Sequence, residues 1–152
     1  MNYWLLKSEP ATFSIDDLKR RPGRTEHWDG VRNYQARNML REGLKKGDLA
    51  FFYHSSCDQP GIAGVVEVVR EGYPDFSSFD PDSDYFDPNG APDKPRWYMV
   101  DVRFKRALTR TITLHELKEH PRLHEMPLLQ RGNRLSVMPV TRAQWDYILS
   151  LE

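Results

Sequence analysis

Trp28-Asp29-Gly30-Val31-Arg32-Asn33-Tyr34-Gln35-Ala36-Arg37-Asn38 is the part of this chain to which the other segments have to be fitted. It packs a glycine turn, two aromatics, two arginines and three side-chain amides into one short run. A helix starts inside it. Asn33 has the short side-chain oxygen that takes a free N–H of a first helical turn. Beyond it, Ala36, Met39, Leu40 and Leu44 recur at helical spacing and face a core, and Gly43 and Gly47 offer places to stop. Trp28, Asn33 and Tyr34 then stand together at the helix entrance, where a flat ligand with hydrogen-bonding edges could be held. The structural alternative is that Trp28 is a buried anchor and Asn33 only a cap.

Working outward, Tyr3-Trp4-Leu5-Leu6 reads as a first strand, closed by the polar run Lys7-Ser8-Glu9-Pro10. Three helix starts share one pattern. An apolar residue precedes a Ser or Thr cap, an acid or amide follows three positions on, and a hydrophobic residue lies beyond it. They are Phe13-Ser14 with Asp17 and Leu18, Ile112-Thr113 with Glu116 and Leu117, and Val140-Thr141 with Gln144 and Trp145. Leu49 to His54 is a nearly continuous apolar run, as expected of a strand buried on both faces. Ile62 to Arg70 is a valine-rich strand in which Gly64 signals a bulge or a close backbone approach.

Residues 71–96 hold five prolines and six aspartates without helical period, and read as one long loop. Asp80-Pro81-Asp82-Ser83-Asp84 begins like a calcium loop. It fails where Tyr85 replaces the turn glycine and Ala91 the bidentate acid. From Trp97 to Phe104 a strand alternates. Tyr98, Val100, Val102 and Phe104 face the core, and Trp97, Met99 and Asp101 face the other way. Trp97 is there either a pocket wall or core under a second layer. Leu135 to Val140 is a last strand, with Pro139 placing it at a sheet edge. Five or six strands interleaved with four short helices predict a small α+β domain over residues 1–152, built on a strongly curved sheet or open barrel.

The bulk numbers narrow the function. With 22 basic and 22 acidic side chains, the chain is formally neutral. It is not a general polyanion binder, because counterion release needs clustered positive charge. One cysteine, Cys57, excludes an internal disulfide and suits a reducing compartment. No apolar stretch is long enough to span a membrane. Catalytic patterns fail one by one. His115 and His120 fall on different helix faces, Pro121 separates His120 from His124, and neither zinc-protease spacing is present. His54-Ser55-Ser56-Cys57 sets nucleophiles beside a base, but no nucleophile elbow surrounds them. No phosphate-binding glycine motif occurs, so nucleotide-cofactor folds lack support, and with the calcium and zinc patterns failing no metal or cofactor is expected.

A binding module remains. Its lining is aromatic (Trp28, Tyr34, Tyr53, Trp97), polar (Ser8, Asn33, Ser55) and cationic (Lys7, Arg32, Arg37, Arg134). Stacking of a base on an aromatic side chain contributes about 1–3 kcal/mol, and cations hold flanking phosphates. A base inside a duplex reaches such a pocket only by flipping out.

The combination of Tyr3-Trp4-Leu5-Leu6-Lys7-Ser8-Glu9-Pro10 with the 28–38 stretch resembles the EVE domain family. Phe51-Phe52-Tyr53-His54-Ser55, Pro60-Gly61-Ile62-Ala63-Gly64, Trp97-Tyr98-Met99-Val100-Asp101-Val102 and Arg134-Leu135-Ser136-Val137 with Pro139 extend the likeness over essentially the whole chain. The resemblance implies a PUA-like fold, a barrel-like sheet ringed by short helices. It also implies recognition of a modified base, a modified cytosine in DNA, with modified RNA as the alternative. It places the pocket at Trp28, Asn33, Tyr34, Tyr53, Ser55 and Trp97, with Lys7 and Ser8 at its mouth. The chain begins at its first strand, without the basic extension of nuclear members. The expectation is a cytoplasmic protein of bacterial type, a monomer that binds nucleic acid and no membrane. Two other readings stay open. One is an enzyme on the same fold using His54, Cys57 or Asp101. The other is an adaptor that holds a protein partner through the 71–96 loop.

Overall fold

The computed structural model describes residues 1–152. Its elements run β1 (Tyr3–Ser8), α1 (Ile15–Arg20), β2 (Thr25–His27), α2 (Tyr34–Asn38), β3 (Leu49–His54), β4 (Gly61–Pro74), β5 (Tyr98–Thr113), α3 (Leu114–Leu117), β6 (Val137–Val140) and α4 (Arg142–Ser150). The strands form one mixed sheet in the order β2-β5-β4-β3-β1-β6. β1 and β3 are parallel, and the other neighbours are antiparallel. This is an α+β fold, with β6 and its Pro139 at an edge as expected. The sheet is open, so the barrel-like expectation is corrected. Its edges are strands of three and four residues, β2 and β6, which do not pair with each other. Closing a sheet requires its edges to pair.

Period two sends alternate residues to opposite faces, and this builds two cores. One gathers Trp4, Leu6, Leu18, Trp28, Phe52, Val100 and Val102 beneath α1 and α2. The other gathers Leu5, Phe51, Ile62, Leu117, Met138, Trp145 and Ile148 beneath α3 and α4. β3 is thus buried on both faces, as its apolar run indicated.

The caps behave as local chemistry dictates. Ser14 and Asp17 form both bonds of their box, as do Thr141 and Gln144. Thr113 accepts from Glu116 N, but the Glu116 carboxylate turns to Arg110, at 2.6 and 2.8 Å. A charged guanidinium outcompetes a backbone N–H for that acid. Gly64 marks both features expected of it. The β3–β4 and β4–β5 registers shift beside it, and an added Cβ would lie 2.8 Å from Arg106 O and 2.9 Å from Ile15 Cδ1 of α1.

β2 is a strand that the reading of the sequence does not contain, and two boundaries also differ from that reading. β5 continues past Phe104 to Thr113. Its charged run pairs with β4 on one side only, and exposed cations suit a strand edge. The loop is shorter than expected, because β4 reaches Pro74 and residues Phe76–Phe79 make a helical turn. Tyr98 is half-buried, whereas Met99 is fully buried on the face opposite to Val100. The strand therefore packs on both faces.

Candidate functional site

The parallel strands β1 and β3 end side by side, pairing Ser8 with His54. β2 ends at His27, and the chain then crosses toward α2. Between these ends lies an open cleft of about 760 Å³. β1 supplies Lys7 and Ser8, and the crossing segment supplies His27 through Arg32. The turn after β3 supplies Ser55 and Ser56, the long loop supplies Tyr85, and the approach to β6 supplies Arg134 and Ser136. A second hollow, of about 630 Å³, lies at the β1–β6 edge between Met1–Trp4 and Pro139–Arg142. It holds none of the expected site residues.

Trp28 floors the cleft. Its N–H donates to Val100 O at 2.7 Å, and its ring meets Phe52 and Phe13 edge-on, at 5.4 and 6.5 Å between centroids. It is both core anchor and cleft wall, so the two readings of this residue are compatible. Ser8 Oγ donates to Phe13 O at 2.6 Å, which leaves the hydroxyl able to accept as well. Lys7 is half-buried with its Nζ 5.9 Å from the Tyr53 ring, and burial pulls its pKa down. Arg134 is exposed on the rim.

Asp75 ties the long loop to the crossing segment. Its carboxylate is fully buried. It accepts from Gly30 N at 2.9 Å, Arg32 Nη1 at 3.0 Å and Ser77 N at 2.9 Å. Arg32 also donates to Tyr85 O, at 2.6 and 3.2 Å. The Tyr85 ring lies flat over Gly30, whose φ is +79°, and a Cβ there would sit 2.7 Å from Tyr85 Cζ. Glycine is required at this point for both conformation and space.

Six of the expected residues meet at this cleft: Lys7, Ser8, Trp28, Arg32, Ser55 and Arg134. The other five do not line it. Asn33 caps α2, accepting from Ala36 N at 3.0 Å. Tyr53 lies in the second core, where burial first, and then the Cys57 charge, push its hydroxyl up to about 12. Trp97 is buried, donates to Asp87 Oδ2 at 2.7 Å and stacks on Tyr34 at 4.8 Å. It borders a smaller hollow that shares Arg32 and Tyr85 with the cleft. Arg37 lies over the Tyr34 ring and donates to Arg96 O at 2.7 Å.

Two of the three groups invoked for catalysis, His54 and Asp101, are already engaged, while Cys57 is a free thiol. His54 Nε2 accepts Ile15 N–H at 3.1 Å, and Asp101 accepts from the Tyr73 hydroxyl at 2.5 Å.

Sequence reasoning missed His27, Asp29 and Tyr85. Asp29 was visible inside the 28–38 stretch. Tyr85 carried no signal beyond being an aromatic in an acidic loop. Burial lifts the Asp29 carboxyl above its ordinary range, and the Asp75 and Glu26 charges add to the lift. His27, with Nε2 3.9 Å from Oδ2, opposes it.

An aromatic-floored cleft with polar walls and rim cations stands at the ends of an open mixed sheet and has room for a flat, base-sized ligand. Residues 2–151 match the EVE domain, and the chain belongs to that family. Thymocyte nuclear protein 1 of Mus musculus is 49% identical over 99% of this chain and 74% of its own length. A crystal structure of a protein from Pseudomonas syringae is 51% identical, covers 98% of both chains and has a TM-score of 0.93. Human THYN1, solved in complex with DNA containing 5-methylcytosine, is 46% identical over 99% of this chain and 97% of that one, with a TM-score of 0.91.

Proposed function

We propose that this EVE domain binds DNA by receiving one base in the Trp28 cleft, and that the base is a modified cytosine. The observation that carries the reading is the likeness to the human protein solved with 5-methylcytosine DNA. It extends over 99% of the chain, and so over every segment that builds the cleft. The cleft chemistry supports it. Trp28 and Tyr85 offer aromatic surface, Ser8 and Ser55 offer short polar groups to a base edge, and Lys7 and Arg134 stand free for phosphates. Tyr34, Arg37 and Trp97 extend the surface toward the smaller hollow, where the strand beside the flipped base would run. A PUA-like scaffold, as the family implies, suits this role because its rigid strand ends present the site.

The test is direct binding to short DNA and RNA strands and duplexes carrying plain, methylated, hydroxymethylated or carboxylated cytosine, or methylated adenine, at two salt concentrations. One modified cytosine in DNA is expected to bind at least about tenfold more tightly than cytosine, about 1.4 kcal/mol, with the preference surviving added salt. Uniform binding that salt abolishes would overturn the reading.

A further inference from the structure

Three acids line the cleft, and they differ in their surroundings. Glu9 is exposed. Glu26 is held by Arg21 at 2.9 Å and by His27 Nδ1 at 2.8 Å. Asp29 is half-buried, and no side chain or backbone group of another residue donates a hydrogen bond to its carboxylate. The nearest cationic group is His27 Nε2, at 3.9 Å. Its only donor is its own backbone N–H, so the carboxylate keeps lone pairs for a ligand N–H.

His27 Nδ1 lies 2.8 Å from Glu26 Oε1, which turns its Nδ1–H to that acid and leaves Asp29 as the acceptor at this wall. An acceptor there matches an amino group and opposes a carbonyl.

We propose that Asp29 accepts a hydrogen bond from the exocyclic amino group of the bound base, restricting the cleft to amino bases and rejecting the keto pyrimidines thymine and uracil. The inference rests on the base-binding reading above and deepens it. A carboxylate pairs with the N4 amino group of cytosine. Thymine sets an O4 acceptor at the same place, leaving Asp29 and the ligand both without a donor. Burial, which raises the Asp29 pKa, acts on this same carboxylate.

The test compares single DNA strands that differ at one base: 5-methylcytosine, cytosine or thymine. 5-Methylcytosine and thymine share the methyl group and differ only along the pairing edge. Wild-type protein is expected to bind 5-methylcytosine at least about tenfold more tightly than thymine. In Asp29→Asn, whose amide both donates and accepts, the ratio is expected to fall to near one. An unchanged ratio in a folded Asp29→Asn protein overturns the inference. So does a wild-type protein that treats the two bases alike, a result that needs no variant. Neither outcome is confused with failure of the base-reading proposal itself, which shows as equal wild-type binding of 5-methylcytosine and cytosine.

Discussion

Trp28 and Trp145 are 7% and 4% exposed, on opposite faces of one sheet, and they do different work. Trp145, on α4, the longest helix of the chain, stacks flat on Phe51 at 3.9 Å, with Tyr3 at 4.8 Å on another side. It sits within the second core. Trp28 meets Phe52 and Phe13 by edges, and its face of the sheet is roofed by two helices of six and five residues. Helices that short leave a gap at the strand ends, and charged and polar groups fill its rim. Equal burial therefore says little about role. The boundary of each core, more than its interior, separates the structural face from the binding face.

The largest expected effect tests that division. Trp28→Ala and Trp145→Ala should each lower unfolding free energy by about 3–5 kcal/mol, read from urea denaturation. The gentler Trp28→Phe and Trp145→Phe then separate the faces. Only Trp28→Phe should weaken the preference for the modified base. Equal losses of preference in both would break the comparison.

A smaller effect sharpens it. Gly30→Ala forces a left-handed residue, which costs about 1–2 kcal/mol, and pushes the added Cβ into the Tyr85 ring. Thermal melting should show that loss, and binding should fall further because the cleft loses its Tyr85 wall. Unchanged binding would remove Tyr85 from the site.

The smallest effect is a pH dependence confined to the cleft face. Burial holds the His54 pKa below 6.5, against the pull of Asp16 and Asp17. Its Nε2 accepts from Ile15, the first residue of α1. The folded state therefore binds this proton less readily than the unfolded state. The His54 contribution to stability is complete above pH 6.5 and is lost as pH falls through the lowered folded value. His54→Gln, which keeps an acceptor and removes the titration, should flatten the stability profile below pH 6.5. An unaltered slope would assign that pH dependence elsewhere.

Much of this was legible beforehand. Asn33, Ser14 and Thr141 cap where their spacing placed them, and Pro139 marks a sheet edge. The apolar run of β3 predicted burial on both its faces, and Phe51 and Phe52 do lie in opposite cores. Trp97 remained undecided because its neighbours come from afar: Tyr34 covers its ring, and Arg96 joins Tyr34 across 62 positions. The open sheet was also hidden, since nothing local in β2 or β6 says whether they meet.

The amino-acid sequence by itself determined the helix starts, most of the strands, the burial of β3 on both faces and the family resemblance. These depend on hydrogen bonds and side-chain periodicities that span a few residues. Only the tertiary structure decided which groups stand unpaired around the cleft. Asp75 reaches Gly30 over 45 positions, and Tyr85 reaches Arg32 over 53. Those bonds consume Arg32 and Asp75 and leave Asp29, Lys7 and Arg134 free. Whether a charged group is spent on its own fold or left for a ligand depends on partners that only the folded chain brings together.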